Sequence, residues 1–114
     1  MATITEGASR ASAATTTFDR SGRHLTVYVA GELDAESAPA VATATLEHLR
    51  RNDAHVWIDL SATTYCDSSG IAMLYKLNKH VTSASSYLTV CSPTGTVRRV
   101  IEACNPYGTL AVRT

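Results

Sequence analysis

The feature that most constrains this chain is the alternation of two hydrophobic periods. Short runs rich in β-branched and aromatic residues, HLTVYVA at 24–30, HVWIDL at 55–60 and YLTVC at 87–91, are each followed by a stretch whose apolar residues recur at helical spacing. In the first run Leu25, Val27 and Val29 share one face, as alternate residues of a strand must. The helical stretches carry Ala38, Val41, Ala42, Leu46 and Leu49, then Ile71, Leu74, Leu77 and Val81, then Val97, Val100, Ile101 and Cys104. TTTF at 15–18, set off by the turn SGR, adds a leading edge strand, and the short β-prone segment 109–112 adds a last one. The resulting order, β-β-α-β-α-β-α-β, predicts an α/β fold in which helices cross over between strands of one central sheet of about five strands.

Local signals set the expected boundaries. Gly31 breaks the first long strand. Ser37 before Ala38 and Pro39 predicts a helix start, with the Ser37 hydroxyl accepting an orphan backbone N–H and the helix running to about Arg51. The second helix is expected at about Ser69 to Thr82, with Lys76 and Lys79 facing out. Ser92-Pro93-Thr94 opens the third and Asn105-Pro106 ends it. Residues 1–14, built from small and polar types without an apolar period, read as a flexible N-terminal tail. Residues 15–114 form the single domain.

Composition narrows the function. A chain of 114 residues supports one small core. Ten basic residues balance ten acidic ones, so the electrostatic footprint of a nucleic-acid or anionic-membrane binder is missing. No apolar run approaches the roughly 20 residues of a membrane span, and a cytoplasmic location is expected. Cys66, Cys91 and Cys104 are odd in number and widely spaced, which suits reduced thiols packed as small core residues better than disulfides or a zinc site. Beside Asp67, the Cys66 thiol pKa should be raised, leaving that residue inert.

Enzyme chemistry finds no foothold. Ser68 and Ser69 follow Cys66-Asp67 where a nucleophile elbow needs G-x-S-x-G, and His24, His48, His55 and His80 sit at strand starts or helix ends. No phosphate-binding glycine loop occurs. Glu32, Asp34 and Glu36 alternate at a helix entry, a pattern that reads as a solvated cluster and not a metal site. Neither metal nor cofactor is expected.

One segment survives this screen. Residues 65–77, YCDSSGIAMLYKL, place an acid, two hydroxyls and a glycine between a strand and a helix, where α/β sheets expose their docking turns. Asp67 or Ser68 can cap the helix, Ser69 fills its first turn, and Gly70 allows close packing. Capping uses one oxygen of several. A serine here can accept a phosphate of about −1.5 to −2 charge, which the neighbouring Asp67 would repel, so that modification would dislodge a docked partner.

The pieces GELDAESAP at 31–39, VWIDLSATTYCDSSGIAML at 56–74 and SPTGTVRRVIEACN at 92–105 together resemble a stand-alone STAS domain of the bacterial anti-sigma factor antagonist family, from Thr15 onward. The resemblance implies helices packed mainly on one face of a mixed sheet, and a binding protein that is not an enzyme. It implies an anti-sigma factor as partner, which is also a GHKL-type serine kinase, and a PP2C-type phosphatase that reverses its action. Ser69 is then the phosphorylated residue, and Asp34, Asp67, Ser68, Ser69 and Gly70 belong to the partner-binding surface. Gly70 would let a partner backbone approach. The chain departs from the family at Ser83-Ala84-Ser85-Ser86, where many members carry Gly, and at 104–108, where many have a Gly-Leu pair. The same fold also serves as an accessory or scaffold module of transporters and signalling assemblies, and only co-purifying partners separate the two uses.

Overall fold

The computed structural model describes residues 2–6 and 14–114. The strands are β1 (Ala2–Glu6), β2 (Ala14–Ser21), β3 (His24–Leu33), β4 (His55–Asp59), β5 (Thr63–Cys66), β6 (Tyr87–Cys91) and β7 (Ala111–Arg113). Helices α1 (Ala38–His48), α2 (Ser68–Ser83) and α3 (Gly95–Ala103) join them. All the strands lie in one mixed sheet ordered β1-β2-β3-β4-β6-β7, with β5 pairing β3 off that path. The β1–β2 and β2–β3 pairs are antiparallel, and every pairing beyond β3 is parallel.

The expected α/β order holds, with two strands more than expected. Residues 2–6 pair with β2 as β1, and Ala14 is already part of β2. The rest of the expected tail, Met1 and residues 7–13, lies outside the described residues. β5 is four residues of TTYC, too short and too polar to show a strand period.

One sheet face makes the core. Phe18, Leu25, Val27, Val29, Val56, Ile58, Leu88 and Val90 are buried, and the residues between them on their strands are not. Their alternation follows from helices covering one face only, since strands covered on both faces read as continuous apolar runs. From the helices Val41, Ile71, Leu74, Leu77, Val81, Val97 and Ile101 close the core, all at positions where the helical spacing predicts burial.

Four local expectations are corrected. Gly31 does not end its strand: at φ 101° it bends β3, whose partner changes from β4 to β5 across a register shift between Gly31 and Glu32. Helix α1 stops at His48 and not at Arg51, where Asp53 takes over the backbone by accepting from the Arg50 N–H at 2.8 Å. Leu46 is 42% exposed, and Thr45 takes the inward place with its hydroxyl donating to the Val41 carbonyl at 2.8 Å. Cys104 is exposed and Cys91 half-buried, leaving Cys66 as the one core thiol of the three.

Candidate functional site: the DSSG turn and its neighbour

Strand β5 ends at Cys66 and delivers the chain into α2 through Asp67. With φ −112° and ψ −170°, Asp67 is still extended, and its Oδ1 accepts from the N–H groups of Ser69 at 2.9 Å and Gly70 at 3.3 Å. Asp67, not Ser68, is therefore the N-cap. Its own N–H donates to the Leu33 carbonyl at 3.2 Å, tying the turn to the end of β3.

Because one carboxylate does the capping, both serine side chains are left over. Ser68 is exposed and Ser69 half-buried, and neither hydroxyl has a hydrogen-bond partner among the described residues. Gly70 is buried, and a Cβ there would lie 2.8 Å from both the Leu33 carbonyl oxygen and Cys66 Sγ. The glycine serves the packing of α2 on β3.

The Asp34 turn stands beside this one, because residues 31–33 of β3 pair with β5. Asp34 Oδ1 accepts from the N–H groups of Glu36 at 3.0 Å and Ser37 at 2.9 Å. The Ser37 N–H, together with the other hydrogen bonds of this turn, holds the Asp34 carboxyl below its ordinary range. Ser37 makes no side-chain cap. Its hydroxyl instead donates to the Glu32 carbonyl at 2.6 Å and accepts from the Asp34 N–H at 2.9 Å, a correction that follows from its backbone being helical already.

Between the two turns runs a cleft of about 340 Å³, bounded by Ala38, Pro39 and Ala42 of α1 and by Ser69, Met73 and Lys76 of α2. The helical spacing of α1 and α2 gave no sign of it. The signal lies in the side-chain sizes: small residues at the helix contact leave a shallow groove with Ser69 on its wall.

The turn is bordered by carboxylates and holds a protonated thiol. Burial, then Asp67, then Cys104 push the Cys66 thiol up to about 11, so it stays protonated at neutral pH. Burial comes ahead of Asp67, the cause expected from its place in the chain. Asp34, Glu36 and Asp67 put three carboxylates on the two turns, with Glu32 beside them at the end of β3. An anion added at Ser69 would meet Asp67 already holding the N–H groups of Ser69 and Gly70, and so could not use those donors itself. Among the described residues no cluster of His, Cys, Asp and Glu could hold a metal ion, and no helix is long and apolar enough to cross a membrane.

Comparison with known proteins places this arrangement. The family model described as "Mlab, STAS domain" matches residues 16–106. The chain is 29% identical over 84 residues to the anti-sigma-B factor antagonist of Listeria monocytogenes, spanning 74% of either protein. An anti-sigma factor antagonist from Mycobacterium paratuberculosis superposes with a TM-score of 0.78 at 24% identity, over 93% of this chain and 89% of that one. The Bacillus cell fate determinant SpoIIAA in its phosphorylated form superposes with a TM-score of 0.62 at 15% identity, over 87% of this chain and 91% of that one. The two structural likenesses speak for the fold, and the match over most of the sequence speaks for descent: this chain belongs to the STAS-domain family.

Proposed function

We propose that this protein is an anti-sigma factor antagonist, switched off by phosphorylation of Ser69. It binds an anti-sigma factor that is also a GHKL-type serine kinase, the bound sigma factor is released, and a PP2C-type phosphatase restores the modified chain. The protein is the substrate in this cycle and not an enzyme, it touches no nucleic acid itself, and it works in the cytoplasm. The observation that carries the reading is the division of labour in the turn: Asp67 alone caps α2, which leaves the Ser69 hydroxyl without a structural task on the wall of a cleft. The anti-sigma factor antagonists among its relatives support the same reading.

The switch follows from the same geometry. A phosphate on Ser69 adds about −1.5 to −2 charge. Asp67 repels it and already holds the Ser69 and Gly70 N–H groups that would otherwise help quench it. The charge is therefore directed at the partner, where an unpaired buried phosphate costs several kcal/mol, and about 1.4 kcal/mol is already tenfold in affinity. Asp34, Asp67, Ser68 and Gly70 belong with Ser69 to the partner-binding surface, and Gly70 also sets how closely α2 sits on β3.

The test is a set of affinities for the cognate anti-sigma factor, measured by calorimetry. Ser69→Ala is expected to bind as the unmodified chain does, and Ser69→Asp at least about tenfold more weakly. Equal affinity of all three forms would refute the switch.

A further inference from the structure

A second cleft lies at the other end of α2, where the helices finish and the parallel strands begin. It has a volume of about 200 Å³, and its floor is apolar, made by Leu46, Leu49, Val56 and Val81. Its rim is basic: Arg50, Arg51 and His80 line it and all are exposed. The one carboxylate in the lining, Asp53, is already satisfied. Both of its oxygens take the Arg20 guanidinium, and Oδ2 also accepts from the Arg50 N–H at 2.8 Å. The guanidinium groups of Arg50 and Arg51 have no hydrogen bond and no ion pair within bonding distance among the described residues. Leu46, 42% exposed, stands on a helix face where the helical period expected burial.

We propose that this cleft docks an acidic segment of a partner protein, with an apolar side chain on the Leu46–Val81 floor and a carboxylate between Arg50 and Arg51. Charge complementarity selects the occupant. The Arg50 guanidinium acts on Asp53 only through space, so the rim groups without a bonded partner are cations, and guanidinium groups pair with carboxylates through two parallel hydrogen bonds. The apolar floor makes the site more than a point of general attraction, since a purely polar anion would leave it wet. Ser69 and His80 are separated by roughly 16 Å of helix, at about 1.5 Å per residue. A segment seated here does not cover the DSSG turn, so the protein can hold two partners at once, one of them insensitive to the state of Ser69.

The experiment uses the whole isotope-labelled chain and three blocked peptides, of alternating glutamate and leucine, glutamate and serine, and lysine and leucine. Titration of the glutamate–leucine peptide should shift the amide resonances of Leu49, Arg51 and Val81 and the Nε–H resonances of Arg50 and Arg51. Replacing both arginines, Arg50→Gln with Arg51→Gln, should weaken that binding about tenfold. Ser69→Asp should leave it unchanged. The proposal is overturned if the shifts centre on Arg98 and Arg99 or on the DSSG turn, if the double variant binds equally well, or if either of the other peptides binds as tightly. Loss of binding in Ser69→Asp would contradict the independence of the two ends while leaving the switch itself untouched.

Discussion

At Gly70 a single added methyl group decides whether α2 can sit on β3. Its Cβ would fall 2.8 Å from the Leu33 carbonyl oxygen, which is backbone and cannot swing aside, and 2.9 Å from Leu33 Cγ. Gly70→Ala is therefore expected to destabilise the fold by about 1–3 kcal/mol, read from the urea midpoint. An unchanged midpoint would mean that α2 is less closely seated than described. The residue types of DSSG were legible in the sequence as a cap, a first turn and a close contact. Which residue caps was not, because Asp67 and Ser68 can both accept an N–H and only the backbone angles of Asp67 choose between them. Ser37 makes the same point: it has the residue type of an N-cap, and Asp34 three residues earlier takes the N–H groups instead.

The elements are held in register by a few polar contacts that join distant parts of the chain. Arg20 of β2 spans to Asp53 and to the His48 carbonyl, fixing the end of α1 against β2, with Phe18 stacked on His48 at 3.7 Å. Burial alone would raise the Asp53 carboxyl, but Arg20 and the Arg50 N–H outweigh it and hold the pKa below its ordinary value. The contribution to stability is thus complete above the ordinary carboxylate pKa of about 3.9 and is lost as pH falls from there through the lowered folded value. Arg20→Ala leaves a carboxylate that is 2% exposed without its cation, and a loss of about 3–5 kcal/mol at pH 7 is expected from urea unfolding. Asp53→Asn should flatten the acid limb of the stability curve. A second element-level expectation concerns the turn after α2, where Ser85 is held at φ 62°. Ser85→Gly should stabilise the chain by about 0.5–1 kcal/mol in the same measurement, because the left-handed backbone disfavours any side chain with a Cβ. No gain would show that the serine is compensated locally.

Taken as one molecule, the chain is a sheet covered on one face, with its loops divided between two ends. The alternation of strand and helix periods carried most of this, including the central place of 55–60 and the buried stripe of α2. What it did not carry was non-local. Strand β5 pairs with β3 and not with its chain neighbour β4, a pairing that goes with the register shift at Gly31 and is invisible in the four residues TTYC. That pairing is also what brings the Asp34 and Asp67 turns side by side. Likewise the cleft beside Ser69 depends on how closely α1 and α2 approach, which no single helix records.

Whether Ser69 switches a partner on and off is decided by mass spectrometry of the protein isolated from its native cells, with phosphosites and co-purified proteins read together. Phosphate on Ser69 is expected in the unbound fraction, and an unmodified Ser69 in the fraction that carries an anti-sigma factor of the GHKL kinase type. An unmodified Ser69 throughout, in a chain that co-purifies with a transporter subunit, would contradict the switch and make the DSSG turn a fixed docking element.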